Sequence, residues 1–307
     1  MPATQITRHQ FGSALLTSTF LLMTGCSRFR KRVDDNAIKN AEALPADDLL
    51  IARDITYAPG DRHMLDVYAP RADGTARPVI VFIYGGTWIS GTKADNAWVG
   101  IALARQGYVT VVADYRIYPD GVWPGFIEDN AAAARWALDH AADYGGDPSK
   151  LVLMGHSAGA FNVASLAIDH RWLTKVGMDP RHDVKAVIGL SGPYEFMPDT
   201  SELRVMFGPK SQWNDIHPIT HVDGQSPPML LITGGRDEAI GTSESKRLAA
   251  RLREKGGSVS VLNYPALNHN GTVQALAPPR GEPSQVMTDI NHFIATHIPG
   301  TARNGTS

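Results

Sequence analysis

The chain has 307 residues, of which 43% are hydrophobic and 20% are charged, and its formal net charge is −2. This composition is typical of a globular protein, and the small net charge gives no reason to expect a nucleic acid or another acidic polymer as partner. The length allows one large α/β domain or two small ones.

The first 26 residues have the pattern of a secretory signal that ends in a cysteine. Residues 11–23, FGSALLTSTFLLM, are apolar or small, and the run is too short for a comfortable membrane span. Cys26, the only cysteine in the sequence, follows in LMTGC, which resembles a bacterial lipoprotein signal with an acylated cysteine. We expect a lipid anchor on Cys26 in the cell envelope, facing the periplasm or the cell exterior, with residues 27–45 as a polar tether. An ordinary signal peptide or an uncleaved anchor is the alternative.

From residue 46 onward, short apolar runs alternate with helical patterns. Strands are predicted at RDITY (53–57), HMLDVYAP (63–70), RPVIVFIYGG (77–86), YVTVVADY (108–115), KLVLMG (150–155), VKAVIGLSG (184–192), PMLLITGG (228–235) and SVSVLNYP (258–265), and helices at 95–106, 126–144, 157–169, 243–255 and 284–297. The first two strands resemble an antiparallel pair. The alternation predicts a mostly parallel sheet of about eight strands, with helices on both faces. One α/β domain then fills residues 46–299, and residues 300–307 form a flexible tail.

Residues 193–228 are the longest stretch without a clear period. Loops of this length are usually functional or disordered, and the aromatic residues in this one argue against disorder. We predict a short cap segment over the functional site. Within it, Phe207 and Trp213 are candidate substrate contacts, together with Trp88 from a loop that follows another strand.

The pentapeptide GHSAG, residues 155–159, has the G-x-S-x-G pattern and lies between a predicted strand and a predicted helix. This is the setting of a nucleophile elbow, in which a serine sits on a strained corner and only residues without a large side chain fit two positions away on either side. Ser157 is therefore the candidate nucleophile. A serine that only caps a helix in a glycine-rich turn is the alternative.

A serine hydroxyl needs a base beside it, and the base needs an orienting acid. Asp237 follows a predicted strand in GGRDEA, at an edge where open α/β sheets place their sites, and Glu238 is the neighbouring alternative. His269 lies in NHNG after the next strand and is the candidate base. The side chain of His156 is expected to point into the scaffold.

Two further histidines, His217 and His221, have the i, i+4 spacing of some metal ligands. Pro218 lies between them in an irregular segment, so a shared helical face is not expected. We therefore predict neither a metal nor another cofactor.

Acyl transfer also needs N–H donors for the oxyanion. The amide of Ala158 is one candidate donor, because it directly follows the nucleophile. Gly86 and Thr87, in FIYGGTWISG after a buried strand, are the other candidates.

These motifs together resemble the α/β-hydrolase superfamily, and most closely its bacterial esterase and lipase branch, which includes hormone-sensitive-lipase-like and feruloyl-esterase-like carboxylesterases. The resemblance covers residues 54–298 and consists of YGG-x-W (84–88), DYR (114–116), GHSAG, GGRD and NHNG in the expected order. It implies an α/β-hydrolase fold and a Ser157–His269–Asp237 triad. One departure is Tyr84, where these families usually have histidine, and this leaves open which amide of the loop donates.

The resemblance implies hydrolysis of carboxylic esters through an acyl-enzyme, with a small-molecule ester as substrate. The aromatic residues expected around the cleft favour a short-chain or aryl ester. Kynurenine formamidases have an H-G-G-x-W version of the same loop, so an arylformamidase or amidase with the same triad is the alternative. A lipid-anchored binding protein without turnover is a further one. The sequence indicates no oligomeric state.

Overall fold

The computed structural model describes residues 48–277 and 283–299. These residues all belong to one compact unit. Cys26, the tether at 27–45 and the tail at 300–307 lie outside the described residues, so the predictions about them stay predictions. No helix in the described ranges has both the length and the apolar character that a membrane span requires.

The strands within these ranges form a single sheet. They are β1 (Leu49–Thr56), β2 (Met64–Pro70), β3 (Arg77–Ile83), β4 (Val109–Ala113), β5 (Gly146–His156), β6 (Val184–Leu190), β7 (Met229–Gly234) and β8 (Val259–Tyr264). Their order across the sheet is β1-β2-β4-β3-β5-β6-β7-β8. The β1–β2 and β2–β4 pairs are antiparallel, and all other pairs are parallel. The predicted eight-stranded, mostly parallel sheet is confirmed.

The helices of the described residues are α1 (Ala97–Arg105), α2 (Gly125–His140), α3 (Ala158–Ile168), α4 (Arg171–Lys175), α5 (Pro180–Asp183), α6 (Ser201–Phe207), α7 (Trp213–Ile216), α8 (Ser243–Glu254), α9 (Gly271–Gln274) and α10 (Gln285–His297). The crossover from β3 to β4 and the crossover from β4 to β5 run in opposite directions across the sheet. Because such crossovers are right-handed, α1 and α2 lie on opposite faces. Helix α10 joins the face of α1, since Asn291 Nδ2 donates to Oε1 of Gln106, the C-cap residue of α1, at 3.0 Å.

Burial along the strands follows their place in the sheet. Every residue of β4 and β7, which both have a neighbouring strand on each side, is buried, because helices or loops cover both faces. Strand β8, at the edge, has only half-buried and exposed residues. The middle of the sheet is therefore a rigid support, and the loops at its carboxyl edge carry the candidate site.

The predicted cap segment, residues 193–228, contains α6, α7 and two 3₁₀ turns, Lys210–Gln212 and Pro218–His221. Thr200 begins α6, and its Oγ1 accepts a hydrogen bond from the amide of Leu203 at 3.2 Å. Each piece has two turns or fewer, which is too short to establish a helical period in the sequence. This explains why the segment resembles a loop in the sequence pattern.

Candidate active site

Ser157 lies on the sharp corner between β5 and α3. Its backbone has φ 54° and ψ −121°, a conformation that non-glycine residues rarely adopt. A Cβ on Gly155 would lie 2.3 Å from the carbonyl oxygen of Gly159, and a Cβ on Gly159 would lie 2.0 Å from the carbonyl oxygen of Ile83. Both flanking positions therefore require glycine, as the motif predicts.

A chain of two hydrogen bonds joins Ser157, His269 and Asp237. Nε2 of His269 lies 2.9 Å from Ser157 Oγ, and Nδ1 lies 2.9 Å from Asp237 Oδ2. The three residues follow β5, β8 and β7, whose carboxyl ends share one edge of the sheet. In this arrangement the serine hydroxyl donates to Nε2 and Nδ1–H donates to the carboxylate. The geometry is that required of a nucleophile, its base and an orienting acid.

The carboxylate of Asp237 is held from two sides. Its side chain is 1% exposed, and Oδ1 accepts the amides of Ala239 at 3.0 Å and Ile240 at 2.8 Å. Burial raises the pKa of Asp237, but hydrogen bonds from His269 and from the Ile240 amide outweigh burial, so that the net pKa is lowered. Glu238 is exposed, and Asp237 makes the hydrogen bond with His269.

The loop after β3 lies directly against the nucleophile. A Cβ on Gly85 would be 2.9 Å from Cβ of Ser157. Gly86, Thr87 and Trp88 have φ values of 116°, 56° and 58°, so that the chain turns tightly here. On the other side of the serine, Ala158 is the first residue of α3, and its amide has no intrahelical acceptor. Amides from both sides are therefore available near Ser157, as an oxyanion hole requires.

Tyr84, which stands where related families usually have histidine, is tied into the scaffold. Its hydroxyl donates to Asp114 Oδ1 at 2.7 Å and accepts from Arg62 Nη2 at 2.8 Å. Tyr115 stacks on its ring at 4.8 Å and donates to its carbonyl oxygen at 2.9 Å. Burial raises the pKa of Tyr84, so the hydroxyl stays protonated and can donate. The tyrosine thus anchors the start of the loop through its side chain and its carbonyl.

Two residues of the DYR motif, Asp114 and Arg116, support the loop after β3 and the segments next to it. Asp114 Oδ1 also accepts the amide of Lys93 at 2.7 Å. Arg116 pairs with Asp129 on α2, with Nη2 2.7 Å from Oδ1. Both residues connect backbone segments around the site and do not contact Ser157.

Trp88 and Phe207, which the sequence predicts as substrate contacts, are buried in this structure. Trp88 is 2% exposed and Phe207 is 1% exposed, so neither presents an open surface to a ligand here. The Trp88 ring packs on Phe161, Phe196 and Phe207 at centroid distances of 5.3, 5.4 and 4.8 Å. We call these four residues the aromatic cluster. Its members come from the loop after β3, from α3 and from the cap, and it holds those three segments together.

The third predicted contact, Trp213, lies apart from the triad. It is half-buried, and its indole N–H donates to the carbonyl of Gly208 at 3.0 Å. It lines an open surface pocket of about 520 Å³ whose walls are residues of the cap alone, from Met197 to Trp213. No triad residue lines this pocket, so the structure does not bring Trp213 and Ser157 to a common cavity.

Three residues around His269 were not predicted as part of the site. Nε2 of His156 lies 3.0 Å from the carbonyl oxygen of His269, and the hydroxyl of Thr272 donates to the same oxygen at 2.9 Å. Ser191, directly after β6, has its Oγ 3.0 Å from Oγ1 of Thr272. Only the position of Ser191, at the end of a strand between the nucleophile and acid strands, hints at this role in the sequence.

The metal-like spacing of His217 and His221 does not form a ligand pair. Nε2 of His217 lies 2.7 Å from the carbonyl oxygen of Phe196, and Nε2 of His221 lies 2.8 Å from that of Asp215. Across residues 48–277 and 283–299, no group of three or more histidine, cysteine or acidic side chains is placed to hold a metal ion.

Among solved structures, the chain is similar to esterase B from Lactobacillus rhamnosis, with a TM-score of 0.72 at 20% identity over 88% of this chain and 92% of that one. It is also similar to a truncated carbohydrate esterase from gut microbiota, with a TM-score of 0.71 at 23% identity over 82% of this chain and 98% of that one. At these identities the likeness establishes the fold.

Among curated proteins, the chain is 28% identical to a probable isoprenylcysteine alpha-carbonyl methylesterase of Arabidopsis thaliana, over 78% of this chain and 55% of that protein. It is 28% identical to esterase LipC of Mycobacterium tuberculosis, over 71% of this chain and 59% of that protein. The chain spans between about half and two thirds of the length of the curated relatives it matches.

The model of the BD-FAE family matches residues 65–252, which is more than half of the chain and includes both Ser157 and Asp237. The fold, the order of the motifs and this match agree, and the resemblance to the esterase and lipase branch is confirmed. The chain therefore belongs to the BD-FAE family, within the α/β-hydrolase type of protein.

Proposed function

We propose that this protein hydrolyses carboxylic esters through an acyl-enzyme formed on Ser157. The observation that carries the proposal is the hydrogen-bond chain from Ser157 Oγ through both nitrogens of His269 to Asp237, with each step at 2.9 Å. The esterase names of the curated relatives support the same reaction class.

Acylation begins when His269 Nε2 accepts the proton of Ser157 and Oγ attacks the ester carbonyl. Asp237, which stays ionised because its pKa is lowered, stabilises the imidazolium through Nδ1–H. The amide of Ala158, with Gly86 and Thr87 as the partners on the opposite loop, donates to the tetrahedral oxyanion. His269 then protonates the leaving alcohol, and the acyl group remains on Oγ.

Deacylation repeats the same transfers with water. His269 Nε2 accepts a proton from a water molecule, which attacks the acyl carbonyl, and the imidazolium returns the proton to Ser157 Oγ as the carboxylic acid forms. Both halves of the reaction use the same base at the same place, so any displacement of His269 slows both. Ser157, His269 and Asp237 are sufficient for every proton transfer in these two half-reactions.

We further propose that the ester has a short acyl chain or an aryl group. The aromatic cluster occupies the space between the loop after β3 and α3, and its rings pack on one another at 4.8 to 6.0 Å. Phe161 lies one turn beyond Ser157 on α3, so this filled space begins close to the nucleophile. A long acyl chain has no room on that side.

The proposed place of action is the cell envelope, with a lipid anchor on Cys26. The support is the apolar run at residues 11–23 followed by Thr24, Gly25 and Cys26. In this proposal residues 27–45 are the polar tether that links Cys26 to the domain in the sequence.

Turnover of p-nitrophenyl acetate by the purified protein tests the proposed reaction. Ser157→Ala is expected to lower kcat by roughly 10⁴-fold or more, by analogy with other triad deletions, while its thermal melting stays close to that of the wild type. A serine-directed phosphonate should abolish turnover by the wild type once one molar equivalent of the inhibitor has reacted with the protein. Wild-type turnover by Ser157→Ala would refute the nucleophile, and a protein that cleaves N-formylkynurenine but no ester would point to the formamidase alternative.

A further inference from the structure

We infer that His156 is a positioning residue, which holds the backbone of His269 so that Nε2 of the base stays within hydrogen-bond distance of Ser157 Oγ. The inference rests on the proposed ester hydrolysis and concerns the same site. Its starting point is the 3.0 Å contact between Nε2 of His156 and the carbonyl oxygen of His269. The side chain of His156, next to the nucleophile, therefore contacts the main chain of the base, His269.

Through this contact, His269 is linked twice to the end of β5. His156 and Ser157 are consecutive residues at the end of β5. The imidazole of His269 contacts Ser157 Oγ at 2.9 Å, and the carbonyl of His269 contacts the imidazole of His156. The base is thus fixed to two neighbouring residues of one strand end, by its ring and by its backbone. A shift of the loop around His269 must break one contact or the other.

A second donor reaches the same carbonyl oxygen. The hydroxyl of Thr272, at the start of α9, donates to the His269 oxygen at 2.9 Å. Thr272 is fully buried, and Ser191 Oγ lies 3.0 Å from its Oγ1. A carbonyl oxygen has two lone pairs, so both donors can be satisfied at once. The loop that carries the base is therefore clamped between the end of β5 and the end of β6.

The imidazole of His156 is suited to this place because it donates without carrying a charge. It is buried, and burial lowers its pKa to about 3, with the nearby His269 acting in the same direction. Since a carbonyl only accepts, the single proton of neutral His156 is on Nε2. The ring lies 4.9 Å from that of His269. A cation at this distance would oppose the positive charge that His269 takes up when it accepts the serine proton.

The opposite nitrogen of His156 faces the loop that supplies the oxyanion amides. A Cβ on Gly85 would lie 3.1 Å from Nδ1 of His156. The ring thus lies against the loop after β3 and contacts the base loop, and its own residue directly precedes the nucleophile in the chain. Catalysis is sensitive to displacements of about 1 Å between such groups, which can cost about 10²-fold in rate.

A matched pair of substitutions isolates the hydrogen bond. His156→Gln keeps an N–H donor at a similar reach, and His156→Met keeps a similar length and flexibility without the donor. We expect His156→Gln to retain kcat within about fivefold of the wild type, and His156→Met to lose roughly 10- to 100-fold. Because acylation and deacylation both use His269, kcat and kcat/KM should fall together, with KM within about twofold. Equal kcat values for the two variants would overturn the inference.

A double-mutant cycle with Thr272→Val tests whether the two donors hold one carbonyl. Each single change leaves one donor in place, whereas His156→Met combined with Thr272→Val leaves none. The combined loss of kcat is therefore expected to exceed the product of the two single losses. Losses that simply multiply would mean that the donors act independently, which would contradict the shared clamp.

The control is His297, a half-buried histidine on α10 whose Nδ1 contacts a backbone carbonyl, that of Phe293 at 2.9 Å. His297→Met removes the same kind of contact away from the base loop and from the aromatic cluster. It should lower the melting temperature but leave kcat within about threefold, since it does not touch His269. If the control variant lost as much kcat as His156→Met, the loss would reflect general destabilisation of the protein, and the inference would be overturned. Failure of the proposed function is distinguishable, because it appears as a wild type whose ester turnover is absent or unaffected by Ser157→Ala.

Discussion

Nδ1 of His269 lies 2.9 Å from Oδ2 of Asp237, on the side of the ring that faces away from Ser157. The other carboxylate oxygen accepts the amides of Ala239 and Ile240, so the carboxylate cannot rotate freely. Its orientation keeps the proton of neutral His269 on Nδ1 and leaves Nε2 free to act as the base.

Asp237→Asn should therefore be severe. The amide can present N–H groups to Nδ1, which favours the wrong tautomer, and a loss of about 10³- to 10⁴-fold in kcat is expected. Glu238→Gln is the matched control, because it makes the same chemical change one residue along on an exposed side chain, and it should stay close to wild type. Steady-state kinetics on p-nitrophenyl acetate decide between them. If the two variants exchange behaviour, Glu238 is the acid.

Trp88→Phe tests whether Trp88 supports the loop after β3 or contacts substrate. The indole N–H donates to Oδ1 of the fully buried Asn162 on α3 at 2.9 Å, which ties the oxyanion loop to the helix that begins beside Ser157. Removing this donor leaves a buried acceptor unsatisfied and should cost about 1–3 kcal/mol of unfolding free energy. We expect kcat to fall roughly tenfold as the loop loosens, with KM little changed. A rise in KM at constant kcat would instead restore Trp88 as a substrate contact.

The stability of the protein should fall in mild acid partly because of His156. Its pKa in the folded state is about 3, against a usual value of 6.5, because burial disfavours the charged ring. Between these values the unfolded chain binds a proton that the folded chain does not. His156 therefore does not change the free energy of unfolding above pH 6.5, and it lowers that free energy as the pH falls towards 3, by up to about 1.4 kcal/mol per pH unit.

His156→Gln removes this titration and keeps a donor. Urea unfolding at about pH 7 and about pH 5 should show the wild type losing roughly 2 kcal/mol more than the variant between the two conditions. All other ionisable groups are common to the two proteins and cancel in the comparison. Parallel losses would mean that His156 accepts a proton as readily in the folded chain as in the unfolded one.

The acyl-chain preference follows from the aromatic cluster. Each CH₂ buried in a groove would add up to about 0.8 kcal/mol of binding, so a long groove gives a kcat/KM that rises with chain length. With the space beside Ser157 filled, we expect a maximum at short chains, roughly C2 to C6. A series of p-nitrophenyl esters measures this directly. A steady rise through about C12 would indicate a lipase-like groove.

Cys26→Ser tests the lipid anchor. If Cys26 is acylated, the wild type fractionates with membranes and needs detergent for extraction, and the variant is released from the membrane. Intact-mass measurement of the extracted wild type should show a lipid-sized increment on a chain that begins at Cys26. A mature N-terminus elsewhere, without added mass, would refute the anchor while leaving the hydrolase site untouched.

The triad candidates are readable in the sequence because each directly follows a strand. Parallel strands bring their carboxyl ends to one edge, so Ser157, Asp237 and His269 are close in space although His269 lies 112 residues beyond Ser157. The glycines beside Ser157 have a steric cause that holds wherever a strand turns at once into a helix. The sheet was predictable for a similar reason, since its buried strands are continuous apolar runs.

The roles of Trp88 and His156 were not readable in the same way. An aromatic residue in a loop can bind a ligand or pack into the interior, and the partners that bury Trp88, such as Phe161 and Phe207, are far away in sequence. His156 acts on the carbonyl of His269, and every residue has a carbonyl, so no residue type signals the contact. The side-chain partners of Tyr84 were not readable either, because Asp114 and Arg62 are distant from it in sequence.

The packing of Phe196 and Phe207 against Trp88 has a consequence for how substrate enters. These two cap residues contact the residue that directly follows Thr87, and the cap is also tied to the Trp123 amide through the Met206 carbonyl at 2.9 Å. If the cap swung away as a lid, it would pull on the oxyanion loop and dismantle the site that it uncovered. We therefore expect substrate to reach Ser157 with the cap in place, and we expect no jump in rate at an oil–water interface.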